Sequence, residues 1–115
     1  MITGLSIAIE QNGDKRILRL EGRIDAQTLP TLGQQIDADF EKMHLRILLD
    51  FTGVERVTGD ALELLFKETK KFKEVKGALG LSGISDPVMQ TIKNAGFDQL
   101  LLIYCDEREA LIAMV

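Results

Sequence analysis

The chain has 115 residues, and at roughly 150 residues per domain it leaves room for one folded unit, expected to span 1–115. An apolar fraction of 45 % and a charged fraction of 28 % match ordinary soluble domains, so a real core can form, which argues against disorder or a fibrous repeat. With 14 basic against 18 acidic residues the net charge is −4, and outside Lys67 to Lys76 no stretch gathers its cations, so nucleic acid is not an expected partner.

Leu5 to Glu10 and Lys15 to Glu21 are β-type stretches separated by Gln11-Asn12-Gly13-Asp14, and Asn-Gly between apolar runs predicts an opening antiparallel hairpin. After Gly22 the period changes. Leu29, Leu32, Ile36 and Phe40 recur at spacings of three and four, which predicts an amphipathic helix with Thr28 as N-cap and Pro30 in its first turn. Leu45 to Phe51, with Ile47, Leu48 and Leu49 in succession, is expected to be a strand buried on both faces, as in a parallel sheet covered by helices.

The polar segment Thr52 to Gly59 is expected to be a loop. It leads into a helix from about Asp60 to Val75 whose Leu62, Leu65, Phe66 and Thr69 share one face. Lys67, Lys70, Lys71 and Lys73 occupy its later turns, where cations complement the helix dipole, and Gly77 is expected to end it. A short strand from Ala78 to Ser82, a helix opened by Asp86-Pro87 and stopped at Asn94-Ala95-Gly96, a last strand from Leu100 to Tyr104 and a helix begun by Asp106 complete the chain. The order ββαβαβαβα predicts an α/β domain, a mostly parallel five-stranded sheet flanked by about four helices, with Ile47, Leu49, Leu62, Leu65 and Phe66 in the core. Function is then expected at the end of the sheet where strands hand over to helices.

Little points to catalysis. The only histidine, His44, falls in a short loop before the third strand, and one Cys with one His cannot supply the three or four ligands of a usual metal site. Gly77, Gly80 and Gly83 recur every three residues, which fits neither a dinucleotide fingerprint nor a phosphate loop, so they are taken as turn and tight-packing residues. Cys105 ends an apolar strand and is expected to be a small core residue; alone, it forms no internal disulfide. The lysine-rich helix face is expected to be solvated. No basic leader with a signal-length apolar stretch opens the chain, so a cytoplasmic setting is expected. The runs Leu100 to Cys105 and Leu111 to Val115 fall far short of the roughly 20 residues that span a bilayer, so no direct membrane insertion is expected. No enzyme, cofactor or metal is expected.

Two segments should converge at one end of the sheet: Gly22-Arg23-Ile24-Asp25, leaving the second strand, and Val54-Glu55-Arg56-Val57-Thr58-Gly59-Asp60-Ala61-Leu62, entering the second helix. Taken with Leu49-Asp50-Phe51, Gly53-Val54, Ile84-Ser85 and Ala95-Gly96-Phe97, in that order and spacing, they resemble the STAS family, the domain of sulfate transporters and anti-sigma factor antagonists. In that family a Gly-x-Leu/Ile-Asp motif follows the second strand and an Asp-Ser-Ser/Thr-Gly-Leu motif opens the second helix. In the antagonist branch a kinase that is also the anti-sigma factor phosphorylates the hydroxyl residue two places after the motif aspartate.

The resemblance implies a bacterial-type signalling module that binds such a kinase through Asp25, Arg56, Thr58, Gly59, Asp60 and Ala61. The decisive loop departs from the pattern. Thr58 stands in the place of the aspartate, Gly59 of the first serine, Asp60 of the phosphoacceptor and Ala61 of the glycine. A carboxylate cannot accept phosphate in the family's manner, and Thr58, the one hydroxyl left, sits two positions early in a capping place, so it is not expected to be modified. Capping by Thr58 and a dipole contribution from Asp60 explain both residue types equally well, and Asp25 is open to the same reading as the cap of a turn before Thr28. An accessory subunit of a transporter or multi-protein assembly, and a binder of a small anionic ligand or nucleotide at the helix N-terminus, are the alternatives.

Overall fold

The computed structural model describes residues 4–114, so Val115, the last residue of the terminal apolar run, lies outside them. The elements follow the expected order: β1 (Leu5–Asn12), β2 (Lys15–Ile24), α1 (Leu29–Glu41), β3 (Arg46–Val57), α2 (Gly59–Glu74), β4 (Ala78–Ser82), α3 (Asp86–Asn94), β5 (Leu102–Ile103) and α4 (Glu107–Ala113). The sheet order is β1-β2-β3-β4-β5, with β1 antiparallel to β2 and every later pair parallel. The order never reverses along the sheet, so the crevice of a topological switch point is not part of this fold.

The apolar run of β3 faces both ways. Ile47, Leu49 and Phe51 join Leu32 and Ile36 of α1, Leu62 and Leu65 of α2 and Val88 and Ile92 of α3 in one large core, while Leu48 packs with Ile17, Ala110 and Met114 under α4. Three helices thus cover one face and a single short helix covers part of the other. Of the expected core residues, Phe66 is only half-buried; it lies edge-on to Phe97 at the rim, with ring centroids 6.2 Å apart. On the inner edge of α1, the buried Asp39 takes two bonds from the Arg16 guanidinium, at 3.2 and 3.4 Å, which ties the helix end to β2.

Several local expectations are corrected. The hairpin turn is Gly13-Asp14, closed by Asn12 and Lys15, with the positive φ of +62° at Gly13 alone. α1, α2 and α3 all end in the same paired pattern, in which the backbone N–H two residues past the cap reaches back to the helix: His44 to Asp39 O, Gly77 to Phe72 O and Phe97 to Ile92 O. The left-handed position in that motif is glycine only in α3, at Gly96; Met43 and Lys76 hold it in the other two, at φ +67° and +61°. Gly77 therefore does not end α2 through its own φ. A side chain there would strike the Leu45 carbonyl, so its glycine serves the close approach of α2's exit to β3. Gly80, packed against the Tyr104 ring, and Gly83, in a turn beside Thr52, have the packing and turn roles expected of them.

β5 is shorter than the run Leu100 to Tyr104 suggests. The N–H groups of Leu100 and Leu101 both turn back to Phe97 O, so the ladder starts only at Leu102. Cys105, past its end, is exposed rather than core. Asp106 begins α4 as expected, accepting from Glu109 N at 2.8 Å.

Candidate functional site

The largest correction concerns residues 52–57, which are strand and not loop. β2 and β3 run on together beyond Ser82, the end of β4, with Glu21 and Gly22 opposite Gly53 and Val54, and Arg23 and Ile24 opposite Arg56 and Val57. The register shifts once between Arg19 and Glu21 and again between Gly22 and Arg23, so β3 carries one extra residue at each step. Its inward residues are therefore Phe51, Val54 and Val57, spaced by three instead of two. The ladder continues one step further, where Thr58 N donates to Ile24 O at 3.1 Å, and this bond brings the ends of the two motifs side by side.

Gly22 makes this extension feasible. It sits at φ +118°, and a Cβ there would collide with the Gly4 carbonyl at the start of β1. Beyond it, Asp25 closes a tight turn by accepting from the N–H groups of Gln27 and Thr28 at 3.0 and 3.2 Å. Thr28 holds the N-cap position of α1 but makes no side-chain cap bond; its hydroxyl points back to Arg23 O at 2.9 Å and accepts from Asp25 N at 3.0 Å. Asp25 thus caps the turn before Thr28, as expected of it, whereas no side chain caps the first turn of α1, which corrects the expectation for Thr28.

Thr58 is the N-cap of α2, accepting from Ala61 N at 3.4 Å. Gly59 and Asp60 follow as fully presented, exposed residues of the first turn. Ala61 is buried against the core and offers its N–H to the cap but no side chain to a partner. Arg56 is exposed on the strand just before the cap, and the register sets it beside Arg23, itself 4.0 Å from the Asp25 carboxylate. Of the residues singled out in the sequence, Asp25, Arg56, Thr58, Gly59 and Asp60 therefore share one end of the sheet. Arg23 belongs with them, and the signal for it was the parallel spacing: each arginine stands two positions before the residue that closes its turn.

Next to this end lies a cleft of about 680 Å³ lined by Glu21, Gly22, Arg23, Gly53, Val54 and Glu55. Besides glycine backbone it carries two carboxylates, Glu21 and Glu55, and one guanidinium, Arg23. On the outer sheet face below, Arg19 holds Asp50 at 2.8 Å and Glu107 at 2.7 Å, linking β2, β3 and α4. Burial works to raise the Asp50 carboxyl, but bonds from the Thr52 hydroxyl and N–H and from Arg19 outweigh it and hold that group below the ordinary range. Among the described residues no cluster of His, Cys, Asp or Glu could hold a metal ion, and no helix is long and apolar enough to cross a membrane.

The sheet is mostly parallel, and at one end it presents the strand-helix junction at the start of α2. The STAS domain model matches residues 6–110, and the chain belongs to the STAS domain family. Among solved structures, an anti-sigma factor antagonist from Mycobacterium paratuberculosis superposes with a TM-score of 0.86 at 22 % identity, covering 96 % of this chain and 94 % of that one. A Thermotoga maritima protein described as a candidate anti-sigma factor antagonist gives 0.87 at 16 %, covering 94 % and 93 %. The murine anion transporter Slc26a9 gives 0.75 at 16 %, covering 90 % of this chain and 18 % of the transporter. At these identities the likeness is one of fold. No curated protein matches the chain.

Proposed function

We propose that the chain is a non-enzymatic regulatory module of a bacterial-type cytoplasmic pathway, which binds an anti-sigma factor kinase through the Asp25 turn, Arg56 and the first turn of α2, and does so without a Ser/Thr phosphorylation switch. The observation that carries this reading is Asp60. It lies exposed in the first turn of α2, where the family resemblance puts the phosphoacceptor, while the neighbouring Thr58 hydroxyl accepts the cap bond from Ala61 N. A phosphoserine there would bring a charge of about −1.5 to −2 and three acceptor oxygens, whereas aspartate supplies a permanent −1. The partner therefore meets a fixed charge at this point, not a switched one.

The test begins with affinity purification of the tagged chain and mass spectrometry of what accompanies it. A co-purifying kinase-like ATPase is the expected result. Wild type and Asp60→Ser are then incubated with that kinase and ATP: phosphate on the introduced serine alone supports the reading, and stoichiometric phosphate on wild-type Thr58 overturns it. The likeness to Slc26a9 favours a second reading, an accessory STAS subunit of a transporter or larger assembly. A co-purifying transporter subunit would select it. An anionic small ligand is disfavoured by the carboxylates of Asp60, Glu21 and Glu55 around the junction and the adjoining cleft.

A further inference from the structure

β1 is the outermost strand, and among the described residues its free side carries none of the usual protection. All eight residues pair with β2 in one continuous register without a bulge, and the strand contains no proline, lysine or arginine. Its single charge, Glu10, is answered within the chain by Arg19 at 3.1 Å. Solitary edges are ordinarily blunted by a bulge, a proline or a lysine. Here Ile9 instead stands 46 % exposed on the edge.

The hairpin fixes which backbone groups look outward. Arg23 N donates to Gly4 O at 2.8 Å, and Asn12 and Lys15 close the two-residue turn, so the even-numbered residues of β1 direct their N–H and C=O groups to β2. Leu5, Ile7, Ile9 and Gln11 direct theirs away from the sheet, and among the described residues no strand pairs with them.

We propose that this edge pairs antiparallel with β1 of a second copy of the chain, about a two-fold axis at Ala8. In that register Ile7 faces Ile9 of the second copy, Leu5 faces Gln11 and Ser6 faces Glu10. All four outward-directed residues then form hydrogen-bonded pairs, two isoleucine pairs share the helix-covered face, and no like charges meet. Centring the axis on Ile7 or Ile9 brings only three of the four into the ladder. The contact is isologous and joins the two sheets into one of ten strands. The axis stands normal to the sheet and reverses strand direction, so the two α2 junctions lie at opposite ends, each free for its own partner. A single strand edge is small beside the roughly 800 Å² per partner of a standard interface, so the dimer comes apart on dilution.

Sedimentation equilibrium of the full chain over a range of concentrations should show a monomer–dimer equilibrium. Ile9→Pro removes an outward N–H that the monomer does not use and should remain monomeric where wild type is dimeric, with a circular dichroism spectrum unchanged. Ile9→Lys repeats the test without altering the backbone. For the register, Ala8→Cys in a Cys105→Ser background should cross-link readily on oxidation, because Ala8 opposes itself at a non-hydrogen-bonded position with Cα atoms about 4.5 Å apart. Ser6→Cys, opposite Glu10, should cross-link far more slowly. A wild type that stays monomeric throughout, a dimer that survives both Ile9 variants, or equal cross-linking at positions 6 and 8 would overturn the proposal.

Discussion

Residues 46–51 and 52–57 are consecutive halves of β3, yet they are supported differently. In the first half Ile47 to Asp50 pair on both sides, with β2 and β4, in even register, and Ile47, Leu48, Leu49 and Phe51 are fully buried. The second half is paired with β2 alone, passes two register shifts and buries only every third residue before handing over to Thr58. Support on two sides fixes the frame of the domain. Support on one side, with two bulges, lets the same strand turn Arg56 and the α2 cap toward solvent. The proposed recognition elements therefore sit where the ladder is weakest, and α2 spans both regimes: Leu65, Glu68 and Phe72 of its later turns are buried, while Gly59 and Asp60 of its first turn are exposed.

The largest loss of stability comes from the buried part of α2. Leu65→Ala, at a site with no exposure, should lower the unfolding free energy by about 2 to 5 kcal/mol in a denaturant titration. Partner binding by the folded fraction should be retained. Loss of binding without loss of stability would break the comparison.

The second effect in size lies one turn further along. Glu68 is buried between α2 and α1 with Oε2 lacking a hydrogen-bond partner. Burial, and next the nearby Asp37 carboxylate, raise its pKa, with Lys71 at 3.8 Å pulling the other way. The fold therefore prefers the protonated acid. Its contribution is fully present below the ordinary carboxyl range and is lost as pH rises through the raised folded value. Glu68→Gln, which stays neutral, should stabilise the domain by about 1 kcal/mol at pH 8. The gain should shrink toward pH 4 in paired thermal melts. Asp50, held low in the fold, contributes with the opposite slope, its share being lost as pH falls.

At the junction itself the effects are smaller. Thr58→Ala removes a cap whose bond to Ala61 N is long, 3.4 Å, and should lower stability by about 0.5 to 1 kcal/mol. Thr58→Ser should restore most of it. A larger loss, measured by chemical denaturation, would mean that the junction is part of the core frame after all.

The same two-regime structure explains what the sequence made legible. The unbroken run Ile47-Leu48-Leu49 and the spacing of Leu62 and Leu65 each carry one clear period, and the α/β order, the mostly parallel sheet and the covered strand follow from them. Phe51, Val54 and Val57 are spaced by three because of the bulges, a period that belongs to no strand, and so the extension resembled a polar loop. The helix ends were obscured for a related reason: Met43 and Lys76 occupy left-handed positions that sequence reasoning reserves for glycine. At the site, residue types placed Asp25, Thr58 and Asp60 together through the family resemblance and made the turn cap of Asp25 legible, but the missing cap bond of Thr28 depends on a hydroxyl direction that no spacing encodes.

The smallest effect on stability should accompany the largest effect on recognition. Arg56 is exposed, makes no ion pair among the described residues and lies beside Arg23 across the ladder. Arg56→Glu exchanges two neighbouring like charges for an opposite pair, so its stability change should stay within about 0.5 kcal/mol, with any shift toward stabilisation. A partner that meets this surface would instead find a reversed charge next to the permanent carboxylate of Asp60. Binding to the co-purified partner, followed by isothermal titration calorimetry, should fall at least tenfold, and the loss should ease as ionic strength rises and screens the exposed charges. Asp60→Lys tests the other side of the same patch. If binding survives both reversals while Lys70→Glu on the exposed face of α2 abolishes it, recognition belongs to the lysine-bearing later turns, and the bulged half of β3 serves only to start the helix.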